Sequence, residues 1–462
     1  MSTPREHAVV IGGSLAGLLA ARVLSDHFER VTLVERDRFP DEAAYRPGVA
    51  QGRHLHVLWN RGLEIAEQLF PGLEKELLAA GVPDIGVPSD LLWMTPGGWR
   101  RRFDVTRLLA FSRELLDHSV RARLADIANV EVLDGREVTG LLQAAPGGGV
   151  TGVEAREHGT RAAAEPLAGD LVVDATGRGS RAPEWLARLG FPEPAQTHVD
   201  PLLGYASRRY AIPAGFDPGW KALYLQADAP HGTRTGALFP QEGGRWIVSL
   251  FGMAGDYPPT DDEGFLEFAR SLRAPHLYEA IRDAEPLTPI TSYRRTANHR
   301  RHYEKLSRPP AGFVALGDSV CAFNPLYGQG MSVAAISALT LDAGLRRGDS
   351  PARLARRIAG NAAGPWLIAT GEDLRYATTR GAEAGLRTRA VNAYVARVVR
   401  LANVDRRACE RMVGVLGLTA PPQSLFMPDV LWRAATRRVR PLDDPGERVE
   451  RGGRDVRAPV SG

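Results

Sequence analysis

The spacing of apolar and polar positions changes along the chain, and the changes predict its elements. His7–Ile11 is a short β-branched run of the kind found in buried parallel strands. Leu15–Leu24 carries apolar residues at helical spacing, and Val31–Val34 is a second strand, ending at Glu35. The order strand, tight turn, helix, strand is a βαβ unit. Residues 36–60 are irregular and rich in Arg, Gly, Pro and His. The pattern then predicts helices over 61–70 and 73–80, a Pro/Gly-rich stretch from Val82 to Gly98, a helix over Ser112–Ala125, and strands at Val130–Leu133, Val138–Leu142 and Leu171–Val173.

Residues 200–255 alternate with a period of two. Thr235–Pro240 and Arg245–Phe251 flank Gln241-Glu242-Gly243-Gly244, a hairpin signal. Asp262–Leu272 is amphipathic, Phe313–Leu316 is a strand, and a helix follows over Met331–Gly344. From 352 to 436 the chain reads as helical and Arg-rich, and from Pro441 on as a polar, disordered tail. Gly147–Gly152 spells G-x-G-x-x-G, but Pro146 precedes it and a strand pattern, Val150–Glu157, follows; it reads as a hairpin turn.

Composition narrows the class. The 462 residues are 44% hydrophobic and 24% charged, with 58 basic and 54 acidic side chains. That balance favours neither nucleic acid nor an acidic partner, and the length suggests more than one lobe. Cys321 and Cys409 are too few for a disulfide framework or a metal cluster. No apolar stretch approaches the length of a transmembrane segment. The chain is expected to be cytoplasmic.

Three glycine-bearing segments carry the chemistry. In Val9–Gly17, Gly12 permits a tight turn, Gly13 and Ser14 follow, and Gly17 allows close packing of helix on strand. Backbone N–H groups at that helix start suit a pyrophosphate, and Glu35 suits ribose hydroxyls. The segment Asp174–Ser180 also leaves a strand. In Gly317–Met331, Asp318 suits a ribityl hydroxyl. There Pro325, Gly328 and Gly330 lead into a helix whose N-terminus, at Met331, suits the charge on a reduced flavin. In this order the three segments predict one FAD site.

At these residues the chain resembles the class A flavoprotein monooxygenases. Ser112–Leu116 resembles the family's Arg-bearing helix start, with Arg113 reaching the cofactor. Arg46–His56 resembles the flavin-side loop of the polyene epoxidases of polyether antibiotic biosynthesis, such as the lasalocid epoxidase. The resemblance extends to Pro365-Trp366 and Gly371–Arg375. It implies an α/β fold like that of p-hydroxybenzoate hydroxylase, with a Rossmann-like FAD domain (1–80, 111–190, 301–350). An antiparallel-sheet substrate domain (81–110, 191–300) and a helical region (351–440) complete it, leaving a tail over 441–462. Arg36, Arg46 and Gln51 join Arg113 as implied cofactor contacts.

The implied activity is insertion of one oxygen atom from O2, by way of a flavin hydroperoxide, with NAD(P)H as reductant. The expected substrate is an alkene of a hydrophobic polyketide- or terpenoid-like intermediate in antibiotic or other secondary metabolism. No protein residue is assigned a catalytic role, because epoxidation needs no protein base. Aromatic hydroxylation, reduction of prenyl chains and a cofactor-free escort role are the alternatives. Halogenation is disfavoured, since the paired-Trp motif of flavin halogenases is not found. Tyr224, Phe239, Trp246 and Phe251 are candidate pocket residues. His54 and His56 read as structural rather than metal ligands. Arg clusters at 294–301 and 434–440 read as solvated faces; a flavin reductase or an acyl carrier protein is a conceivable partner.

Overall fold

The structure is a computed structural model, and it describes residues 6–446 and 448–449. A five-stranded parallel sheet runs in the order Phe313–Ala315, Leu171–Asp174, His7–Ile11, Arg30–Val34, Val130–Leu133. Both faces are covered, as parallel sheets require, and His7–Ile11 is buried at every position. Helices Leu15–Leu24 and Gly330–Arg347 pack together on this sheet. The three glycine segments leave the C-terminal ends of three adjacent strands, and Glu35 leaves the fourth. Ligands in open α/β sheets bind at that edge.

A seven-stranded sheet forms the second layer, in the order Thr291–Tyr293, Gly204–Ala211, Arg245–Gly252, Arg234–Gln241, Ala222–Leu225, Leu91–Thr95, Gly98–Trp99. It is antiparallel apart from the parallel pair Ala222–Leu225 and Leu91–Thr95. Side chains alternate between its faces. Trp246, Val248 and Leu250 meet Phe265, Phe268 and Leu277 of helices Asp262–Arg270 and His276–Ile281. Phe239, Ile247 and Phe251 stand on the other face.

The expected mixed α/β architecture is present, with local corrections. The Val82–Gly98 stretch forms strands, Asp84–Pro88 and Leu91–Thr95, because β-branched and large apolar residues lie between its turns. Gly147–Gly149 form the expected turn, between Arg136–Gln143 and Val150–Glu157, and Gly152 lies in the second strand. The tail was expected to be disordered from Pro441. Instead the Leu442 carbonyl accepts from the Trp99 N–H (3.3 Å), and Arg448–Val449 pairs with Arg102 and Phe103. Residues 447 and 450–462 of that tail lie outside the described residues.

Candidate cofactor and substrate site

The first turn is fixed by backbone contact. Gly12 has φ +100°, which L side chains rarely adopt, and its N–H donates to Val34 O (2.8 Å). A Cβ on Gly17 would stand 1.8 Å from the Gly12 carbonyl oxygen, so the helix lies closer to the turn than any side chain permits. Ser14 is the N-cap of helix Leu15–Leu24, but its side chain does not cap it. Ser14 Oγ instead accepts from Arg113 Nη2 (2.7 Å), leaving the first-turn N–H groups for a ligand.

Glu35 is buried beside this turn. Its Oε2 accepts from Gly13 N–H (2.6 Å) and its Oε1 from Asp37 N–H (2.9 Å). Arg46, 4% exposed, donates from Nη2 to Gly13 O (3.0 Å). Its guanidinium lies within 3.6–3.8 Å of Glu35, Asp37 and Asp117 carboxylates. Arg46 Nη1 has no hydrogen-bond partner despite its burial. Arg113 is buried, held by Asp117 Oδ1 (2.8 Å), and reaches Met331 Sδ (2.9 Å). Thus Gly12, Gly13, Ser14, Gly17, Glu35, Arg46, Arg113 and Met331 come together. Arg36 stands apart, its side chain 56% exposed. Gln51 sits half-buried in the short turn Ala50–Arg53.

The segments interlock. Ala175 N–H donates to Ile11 O (2.9 Å), Leu316 N–H to Asp174 O (2.9 Å), and Gly177 N–H to Ser319 Oγ (2.8 Å). Burial pushes the Asp318 carboxyl up, partly opposed by Arg178, Arg113 and Arg301. Pro325 opens a turn capped by Asn324, and Gly328 and Gly330 lead into helix Gly330–Arg347. No side chain caps that helix, so its N-terminal N–H groups are also open. These features fit FAD: a turn that side chains would block, two uncapped helix starts, a buried carboxylate and a buried guanidinium N–H that makes no hydrogen bond among the described residues.

The reading of the Arg cluster at 294–301 as a solvated face is corrected at Arg301. Its guanidinium is buried and donates to Ser319 O (3.1 Å) and Arg178 O (3.0 Å), tying two motifs together.

A small recess, with about 10 Å³ of free volume, lies between the seven-stranded sheet and the loop 54–59. That loop abuts the third motif: Trp59 Nε1–H donates to Tyr327 O (3.2 Å) and Trp59 N–H to Ser332 Oγ (3.0 Å). Leu55, Val57, Phe239 and Ile247 line its apolar walls, and His56 and Gln241 are its polar members. Of the candidate pocket residues, Phe239 lines this recess. Phe251 shares that face but packs on Tyr205, and Tyr224 O–H donates to Leu326 O (3.3 Å). Trp246 is a correction: the two-residue period turns it to the opposite face, against Phe216 (4.9 Å).

His54 Nδ1 is hydrogen-bonded to Ser207 Oγ (2.8 Å), the structural role expected of it. Among the described residues no cluster of His, Cys, Asp or Glu could hold a metal, and no helix is long and apolar enough to cross a membrane. Sequence reasoning did not find Asp37, Asp117 or Gln241. Gln241 was read as part of the turn, although it continues the alternation of the strand before it by one residue.

The fold and the cradle define a Rossmann-type FAD-binding protein. The chain belongs to the FAD binding domain family, whose model matches residues 5–347. Protein Rv3254 of Mycobacterium tuberculosis (strain ATCC 25618 / H37Rv) is 35% identical over 391 residues, 80% of each chain. The fold is shared with a flavoprotein/dehydrogenase from Cytophaga hutchinsonii (TM-score 0.67, 15% identity, 93% of this chain and 98% of that one). It is also shared with the flavin-dependent brominase Bmp2 (0.61, 15%, 93% and 98%). A third structure is OxyS anhydrotetracycline hydroxylase from Streptomyces rimosus (0.59, 16%, 90% and 76%).

Proposed function

We propose that this protein is an FAD-dependent monooxygenase, reduced by NADH or NADPH, that transfers one oxygen atom from O2 to an electron-rich carbon of a hydrophobic, natural-product-like molecule. The observation that carries the reading is the apolar recess whose wall is the loop bonded to the third motif. FAD, when bound, supplies the oxygen-activating chemistry. The chain's residues do the rest. Arg46 and the first-turn N–H groups of Leu15–Leu24 hold the pyrophosphate, and Glu35 faces the adenosine end. The N-terminus of Gly330–Arg347 meets negative charge on the ring, and Phe239, Ile247 and Leu55 keep water from the reacting carbon.

Epoxidation of an alkene is the reading that the resemblance to the polyene epoxidases supports, and it asks no base of the protein. Hydroxylation of an aromatic ring is the second reading. It is favoured by the fold, which OxyS anhydrotetracycline hydroxylase also uses.

The test is the visible spectrum of the protein, mixed anaerobically with NADPH and with NADH, followed by oxygen uptake in air. A flavin band that bleaches, with uptake matched by oxygenated product, is the expected result. A bleached band without coupled oxygenation points to a reductase or dehydrogenase. A protein that takes up no FAD overturns the reading.

A further inference from the structure

The C-terminal helices present an apolar face to solvent. Helix Pro428–Thr436 buries Val430 and Ala434 and turns Leu431 and Trp432 outward. Phe426 ends the turn Pro422–Phe426, Met427 follows it, and both are exposed. Tyr394, on helix Leu386–Ala402, stacks on Phe426 with ring centroids 4.7 Å apart, and its hydroxyl donates to Leu425 O (2.6 Å). Further along that helix Arg397 donates to the carbonyls of Ala434 and Ala435. The two helices therefore lie side by side and run the same way, and Leu386 begins one at the end where Met427 begins the other. Leu386 is 85% exposed and Trp432 is 71% exposed. Side chains so bare project beyond their neighbours rather than line a groove.

The charge of this region is one-sided. Residues 386–440 hold eleven Arg against three acidic side chains, a net +8 in a chain whose total is +4. Two of the acids are already engaged: Asp405 holds Arg433 and Arg437, and Glu410 pairs with Arg406. Arg387 and Arg389 follow Leu386, and Arg438 and Arg440 follow the Trp432 helix; all four are exposed. Among the described residues none of the four forms an ion pair. Projecting Trp, Phe, Leu and Met side chains fringed by guanidiniums suit the interface of an anionic bilayer. There the apolar groups enter the acyl boundary, Trp sits at headgroup level and Arg meets lipid phosphate. A second copy of this chain would instead set the same positive face against itself.

We propose that the face formed by Leu386, Phe426, Met427, Leu431 and Trp432 docks this protein peripherally on a bilayer rich in anionic phospholipid. The helices lie on that surface and do not cross it. The inference goes beyond the monooxygenase reading and is independent of the chemistry at the flavin.

The FAD-loaded full chain is sedimented with vesicles of phosphatidylcholine alone and of phosphatidylcholine mixed equally with phosphatidylglycerol. Association with the mixed vesicles is expected to be at least roughly tenfold stronger and to weaken with added salt. Leu431→Ser together with Trp432→Ser should weaken it roughly tenfold or more. Arg438→Gln together with Arg440→Gln should weaken it about fivefold for each charge lost. Both variants should keep their flavin and their melting temperature, because the side chains replaced are exposed. Should one of them fail to fold, the other variant and the lipid comparison still decide. Failure to associate with the mixed vesicles overturns the proposal, as does equal association with both lipids or a folded variant that binds in full. A dimer abolished by the Leu431/Trp432 substitutions, without vesicle binding, overturns it too and assigns the face to a second copy.

Discussion

Asp373 makes the stability of this protein depend on pH in the direction opposite to that of most carboxylates. It ends helix Ala363–Asp373, fully buried. Oδ2 accepts from Asn298 Nδ2 (2.6 Å); Oδ1 accepts from Asn324 Nδ2 (2.9 Å) and the Tyr327 hydroxyl (3.4 Å). Burial nevertheless pushes the carboxyl up to about 7. In the unfolded chain an aspartate titrates near 3.9, or about 4. Between those values the folded state binds the proton and the unfolded state does not, so stability falls as pH rises through the window. The penalty is absent below about pH 4 and complete above about pH 7, where it is on the order of 4 kcal/mol. About 3 kcal/mol of it develops between roughly pH 5 and pH 8, or about 3 °C in Tm for a chain of this size.

Asp373→Asn removes the titration. It adds a fixed cost, because its amide must turn –NH2 toward one of the two asparagine donors. Thermal unfolding of both proteins, FAD-saturated, should show wild type losing about 3 °C relative to the variant from about pH 5 to pH 8. Parallel curves would refute the argument.

Gly17→Ala places a methyl 1.8 Å from the Gly12 carbonyl oxygen, where only backbone can yield. Flavin retention, read as the flavin-to-protein absorbance ratio, should collapse, with a stability loss of about 3 kcal/mol. Arg46→Met removes the cation that stands among the buried carboxylates of Glu35, Asp37 and Asp117. Unfolding should become easier by about 3–5 kcal/mol, and titration with FAD should show at least a roughly tenfold weaker complex. Trp246→Leu empties space beside Phe216 on the far face of the sheet. It should cost about 2–3 kcal/mol in denaturant melts and leave the affinity for FAD unchanged; a weaker FAD complex would contradict the placement of that face.

What the sequence made legible was local. Gly12 and Gly17 announce a turn because their constraint lies within six residues of chain, and strand alternation separates Trp246 from Phe239 without saying which face meets the cofactor. The choice is made by helices Asp262–Arg270 and His276–Ile281, which arrive later and cover the Trp246 face. Gln241 was hidden for a related reason. Beside Glu242 and two glycines it looks like turn, and its burial depends on Phe111, 130 residues away. Asp373 lies in a helix whose pattern says nothing of Asn298 and Asn324. Arg301 sits in an Arg-rich run that looks solvated, and only the packing of two motifs against it turns it inward. Long-range partners decide each of these, and no local period encodes them.

The charges around the first motif lead to one more expectation. FAD brings a dianionic pyrophosphate, yet the nearby guanidiniums are already compensated: Arg113 is held by Asp117, and Arg46 stands among three carboxylates. Little free positive charge is left to attract an anion at long range. Binding must then rest on short-range directed groups: the uncapped N–H groups of Leu15–Leu24 and Arg46 Nη1, which makes ion pairs but no hydrogen bond among the described residues. Buried groups are screened far less than exposed ones. The affinity for FAD should therefore change by less than roughly tenfold between about 0.05 and 0.5 M salt, measured by quenching of flavin fluorescence. A steep fall with salt would mean that exposed cations such as Arg36, not the buried cradle, hold the cofactor.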